Sequence, residues 1–188
     1  MRLYIRFYLI ATFLIFLVAC TSPNKPQNSS PPNINSTSSQ QVVTLDKNFL
    51  VAMGQTIYVP IYSHIYHNDE RQILNLAATL SIRNTDLTNP IIITAVRYYD
   101  SDGKLIKQYL EQPIQLNALA STDFFVNRTD TSGGSGANFL VDWVSQKVVS
   151  EPIVEAVMIA TEFQQGVSFV SPGKVIKNQK NSQSTSLK

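Results

Sequence analysis

The chain has 188 residues, 44% of them apolar, a formal charge of +2 and one cysteine, Cys20. That supports a core of single-domain size. It excludes a disulfide framework and, with so small a charge, an electrostatic footprint for nucleic acid.

Arg2 and Arg6 give a basic start, residues 7–19 are apolar except for Thr12, and Leu17-Val18-Ala19-Cys20 closes the run. About 13 residues are too few for the roughly 20 that span a bilayer as a helix. They fit the apolar region of a secretory signal. The closing string resembles a bacterial lipobox. That resemblance implies a signal peptide over residues 1–19, cleavage before Cys20, a diacylglycerol thioether on Cys20 and an acylated new amine. Each buried CH₂ contributes ~0.8 kcal/mol, so two or three chains anchor stably where one would not. With Thr21 rather than Asp after Cys20, the same resemblance implies, in a Gram-negative envelope, the periplasmic face of the outer membrane over the inner membrane. Losing Arg2 and Arg6 takes the formal charge from +2 to neutral, and lipidation consumes the thiol.

Residues 20–41 are a flexible tether of Ser, Thr, Asn, Gln and Pro, too polar to offset chain entropy by burial. It spans about 25 Å root-mean-square. Residues 177–188 are similarly polar and are expected to be a disordered tail. One domain remains, residues 42–176.

That domain reads as strand. Leu76, Ala78, Leu80 and Ile82 alternate with polar or small residues, and Phe139, Val141 and Trp143 alternate with Asn138, Leu140 and Asp142. Period two puts one face in and one out. Ile153, Val157 and Ile159 share a face. Ile91-Ile92-Ile93 suits a strand covered on both sides, and β-branched and aromatic residues fit a pleated surface. Asp100-Ser101-Asp102-Gly103 lies between two strand runs as a hairpin turn. Residues 142–149 are the best helix candidate, with strand preferred through Trp143. About eight to ten short strands at this spacing argue for a single all-β, immunoglobulin-like β-sandwich.

Long strings carry a resemblance. Residues 59–66 (VPIYSHIY), 80–86 (LSIRNTD), 98–104 (YYDSDGK), 130–139 (DTSGGSGANF) and 166–171 (GVSFVS) resemble an uncharacterised family of secreted bacterial domains, one known only as a domain of unknown function. The likeness spans nearly the whole domain and brings no activity, ligand or catalytic residue. The Asn-Thr-Asp and Tyr-Asp-x-Asp-Gly pieces also resemble immunoglobulin-like modules of other bacterial envelope proteins, as a fold analogy.

Candidate chemistry is sparse. Residues 63–70 hold His64, His67, Asp69 and Glu70, a side-chain set suited to zinc or copper. On one strand the two histidines point to opposite faces, so they converge only if the chain turns away by His67. Ser132, Gly133, Gly134, Ser135 and Gly136 form the most unusual loop. Glycine-flanked amides there suit an anion nest, although no P-loop lysine follows. Gly133-Gly134-Ser135-Gly136-Ala137 brushes the Gly-x-Ser-x-Gly elbow, making Ser135 a remote hydrolase nucleophile with His64 or His67 as base. Asp100 and Asp102 open like a calcium loop without its closing Glu. Tyr58, Tyr62, Tyr66, Tyr98 and Tyr99 supply contact area with a polar tip. The expectation is a non-enzymatic envelope lipoprotein without a required cofactor. It would contact an envelope protein or small ligand through residues 62–71, with Tyr62, Tyr66 and Arg71, and through the glycine-rich loop.

Overall fold

The computed structural model describes residues 41–46, 49–67, 69–162 and 165–179. Cys20 and residues 1–40 lie outside them, as does the last stretch of the expected tail. The described chain is built from thirteen strands: β1 Gln41–Val42, β2 Met53–Pro60, β3 His64–His67, β4 Asp69–Asn75, β5 Ala77–Arg83, β6 Ile91–Tyr99, β7 Leu105–Gln108, β8 Ile114–Leu116, β9 Ser121–Val126, β10 Asn138–Ser145, β11 Ile153–Glu162, β12 Gln165–Pro172 and β13 Lys174–Asn178. One 3-10 turn, Gly134–Gly136, precedes β10. No helix of the described residues is long and apolar enough to cross a membrane. The strand count exceeds the expected eight to ten because short pieces such as β1, β7 and β8 are too brief to leave an alternation.

The strands form two packed antiparallel sheets and a separate hairpin, β3–β4. The larger sheet runs β1-β8-β6-β10-β2-β13, with β7 on β6, and the smaller runs β12-β11-β5-β9. This is an all-β sandwich. Its middle is filled from both sheets by Ile57, Val59, Val141 and Trp143 on one side and Leu80, Ile82, Ala156 and Met158 on the other. The alternation read for β5 and β10 decides their inward faces. In β11 the period is right but the shared face of Ile153, Val157 and Ile159 is the outer one. Val154, Ala156, Met158 and Ala160 point inward and are buried, while Ile159 stays 48% exposed. The chain crosses from the smaller sheet to the larger at Gly173, whose N–H donates to the Val154 carbonyl at 2.8 Å. A Cβ there would stand 2.6 Å from Ile57 Cγ2, so only glycine lets β12 turn into β13. β13 pairs Lys177 with Thr56 and Asn178 with Gln55, carrying order past the expected boundary at residue 176.

The strands define two poles. At the terminal pole the described chain enters and leaves: Gln41 pairs with Gln115, and the Gln179 N–H donates to the Gly54 carbonyl at 2.7 Å. At the opposite, loop pole, Pro60 and Tyr99 flank Asn138, and the β3–β4 hairpin, the β6–β7 turn and the glycine-rich loop gather. Eight residues of β10 at ~3.3 Å each separate the poles by about 25 Å.

Candidate functional site at the loop pole

Tyr98 organises this pole. It is fully buried, and its hydroxyl lies 2.9 Å from Ser63 Oγ. Burial pushes its phenol above the ordinary value, and the Ser63 hydrogen bond only partly offsets that. Burial likewise pushes Tyr109 up to about 12. Both phenols are therefore neutral near pH 7 and serve as fixed hydrogen-bonding groups.

The glycine-rich loop wraps over Tyr98. Its backbone is tied to β2's exit, where the Ser63 N–H donates to Gly134 and the Ile61 N–H to Ala137, each at 2.9 Å. It is also tied to the β6–β7 turn: the Ser101 hydroxyl donates to the Gly133 carbonyl at 3.0 Å and accepts the Gly136 N–H at 2.9 Å. Gly133 is required by close approach, because a Cβ would fall 2.0 Å from the Tyr98 oxygen. The anion-nest expectation is corrected here. The Ser132 amide is taken by Asp130, that of Gly134 by the Thr131 carbonyl and that of Gly136 by Ser101. Ser135 sits in a 3-10 turn that leads into a strand, not in a strand-to-helix elbow. Asp100 spends its carboxylate on the Asp102 and Lys104 amides at 3.0 and 2.8 Å, which is hairpin-turn geometry.

Residues 62–71, expected to make the contact, are mostly the β3–β4 hairpin. His64 opposes Asn75, Ile65 opposes Leu74, Tyr66 opposes Ile73, and a bulge at Tyr66/His67 sets His67 opposite Asp69. Ile65 and Leu74 pack on the core. The other face carries His64 and Tyr66, with ring centroids 5.5 Å apart and edge-to-face. Tyr66 is 54% and Ile73 47% exposed. Tyr62, also exposed, meets Phe169 of β12 edge-to-face at 6.0 Å. Arg71 is exposed, and its N–H donates to Asp69 Oδ1 at 2.9 Å.

The metal expectation is corrected too. Among the described residues no three His, Cys, Asp or Glu side chains come together around one ion. Asp69 Oδ1 accepts the Arg71 and Gln72 amides, and His64, His67, Asp69 and Glu70 form no such cluster.

The five tyrosines separate. Tyr98 is interior, Tyr62 and Tyr66 lie on the loop pole, and Tyr58 and Tyr99 are half-buried on the outward face of the larger sheet. Sequence reading missed Ile73, Asn75 and Phe169. The alternation Arg71, Ile73, Asn75 could have found the first two. Phe169 is brought in only by the sheet pairing. Two buried side-chain atoms of this hairpin, His64 Nδ1 and Asn75 Oδ1, lack hydrogen-bond partners and belong to directly opposed residues.

A family model described as "Protein of unknown function (DUF3124)" matches residues 54–176. No curated protein matches the chain. A solved structure described as "Crystal Structure of Thermotoga maritima 1070" is similar at 10% identity and a TM-score of 0.41, over 64% of this chain and 92% of that one.

Proposed function

With the chain belonging to the DUF3124 family of proteins of unknown function, we propose that it is a non-enzymatic binding module of the bacterial envelope, lipid-anchored through Cys20 on the periplasmic face. Its partner is another envelope protein, met by the β3–β4 hairpin with Tyr62, Tyr66 and Arg71 and by the adjoining glycine-rich rim. One observation carries the reading. The exposed aromatic and aliphatic side chains of the hairpin stand at the pole opposite Gln41 and Gln179. A body tethered from residue 41 therefore presents them away from its anchor. Exposed Tyr and Ile beside an Arg have the composition of a contact surface.

The test is a photo-crosslinking amino acid at Tyr66 and, in a second strain, at Ile159 on the outer face of the smaller sheet. The expected result is a discrete adduct from position 66 and none from 159. Identical adduct patterns, or none from 66, overturn the reading.

A further inference from the structure

We propose that the outward face of the seven-stranded sheet is a second binding surface, a strip that takes an acidic oligosaccharide. It shares no residue with the hairpin contact and stands independently of it.

Strand register builds the strip. Arg97 of β6, Leu140 of β10, Tyr58 of β2 and Lys174 of β13 lie side by side across four strands. Tyr99 and Asn138 form the next row toward the loop pole. Closer to the terminal pole the same face is closed. Ile92 and Val144 stand outside the core cluster between the sheets, yet they are only 9% and 4% exposed. Toward the loop pole Tyr58, Leu140 and Tyr99 are half-buried and Lys174 is exposed. An outer sheet face left to water normally carries short or charged polar residues. Two phenol rings bracketing a leucine and an arginine are not that pattern.

The charge on the strip selects its occupant. Arg97 forms an ion pair with Asp142 through Nη2, and the Thr56 hydroxyl donates to the same carboxylate at 2.6 Å. Asp142 thereby balances the Arg97 charge and holds the guanidinium in place. With Asp142 balanced against Arg97, the exposed Lys174 ammonium leaves the strip net positive, a match for a carboxylate. Tyr58 and Tyr99 are two strands and two residues apart, so about 12 Å separates their Cα atoms. That is roughly the reach of two pyranose rings, whose apolar C–H faces stack on aromatic side chains. A peptide would be expected to seek an open strand edge instead, whereas this strip is made of side chains on paired strands.

The test is calorimetric titration of the full chain with tetragalacturonate and with cellotetraose, a neutral chain of equal length. Saturable binding to tetragalacturonate is expected, at least about tenfold tighter than to cellotetraose. Lys174→Glu, at an exposed position that leaves folding intact, and Tyr58→Ala should each weaken it by about tenfold or more, while Tyr66→Ala leaves it unchanged. Absence of saturable binding overturns the proposal. So does binding that Tyr58→Ala leaves intact, which would be plain charge attraction, or tighter binding of single-stranded oligonucleotide than of tetragalacturonate.

Discussion

Asp86 is the residue on which local chemistry weighs most. Its Oδ1 accepts the Thr88 and Asn89 N–H groups at 2.9 and 2.7 Å, and Oδ2 accepts the Ser150 N–H at 3.1 Å. Asn84, two residues earlier, gives its amide to the carbonyls of Asn89, Leu116 and Asn117. Together they tie the β5–β6 connection to two others. The Thr88 amide first, then those of Asn89 and Ser150, hold the Asp86 carboxyl well below the usual carboxylate range. A folded-state pKa below the unfolded one contributes stability that is present above the unfolded value, near 4, and lost as pH falls below it. Asp86→Asn should therefore melt below wild type at pH 7, and the gap should shrink below about pH 4. Thermal unfolding from pH 7 to pH 2 checks this, and a gap constant with pH would contradict it. In the sequence, Asn84-Thr85-Asp86 stands out as part of the string at residues 80–86. The carbonyls and amides it binds are decided by strands up to 64 residues away.

At the scale of elements, β5 and β11 make an instructive pair. In β5 one face is Leu and Ile and the other Thr, Ser and Arg, so period two also says which face is inside. In β11 both faces are apolar. Isoleucine and valine propensity points to the face of Ile153, Val157 and Ile159, yet Met158 and Ala156 are the buried ones. Small alanines inside let the two sheets approach, and flexible methionine fills what remains. Met158→Ala should cost about 2–5 kcal/mol, against less than about 1 kcal/mol for Ile159→Ala at an exposed position. Urea unfolding of both variants decides it, and equal losses would mean that the inner face is misassigned. The same scale explains the glycine-rich loop. Three glycines suggested a ligand cradle, but the loop closes over a tyrosine of its own chain, and no local pattern announces that Gly133 meets Tyr98.

For the whole molecule, polarity matters most. The described termini share one pole and the exposed hairpin occupies the other, about 25 Å away, so the anchor proposed at Cys20 and the proposed contact surface do not compete. Palmitate labelling should mark the parent and fail in Cys20→Ser, and fractionation should move that variant from membrane to soluble fractions. Equal labelling of both would remove the anchor from the picture. One further expectation lies at this scale. If the tether alone sets reach, removing ten residues from 21–40 should leave the melting temperature unchanged, since so polar a stretch has little apolar surface to bury; a clear drop would contradict this.

The sequence alone determined the all-β class, the inward faces of β5 and β10 and the hairpin turn at residues 100–103, because each is written in a period of two or a turn residue within a few positions. It also supplied the family likeness, carried by contiguous strings. Only the tertiary structure decided which apolar face of β11 is buried, that His64, His67, Asp69 and Glu70 form no ligand cluster, and that residues 62–66, 98–101 and 133–136 meet at one pole. Those outcomes depend on pairings between strands far apart in the chain, and side-chain alternation within a strand carries no record of its neighbour.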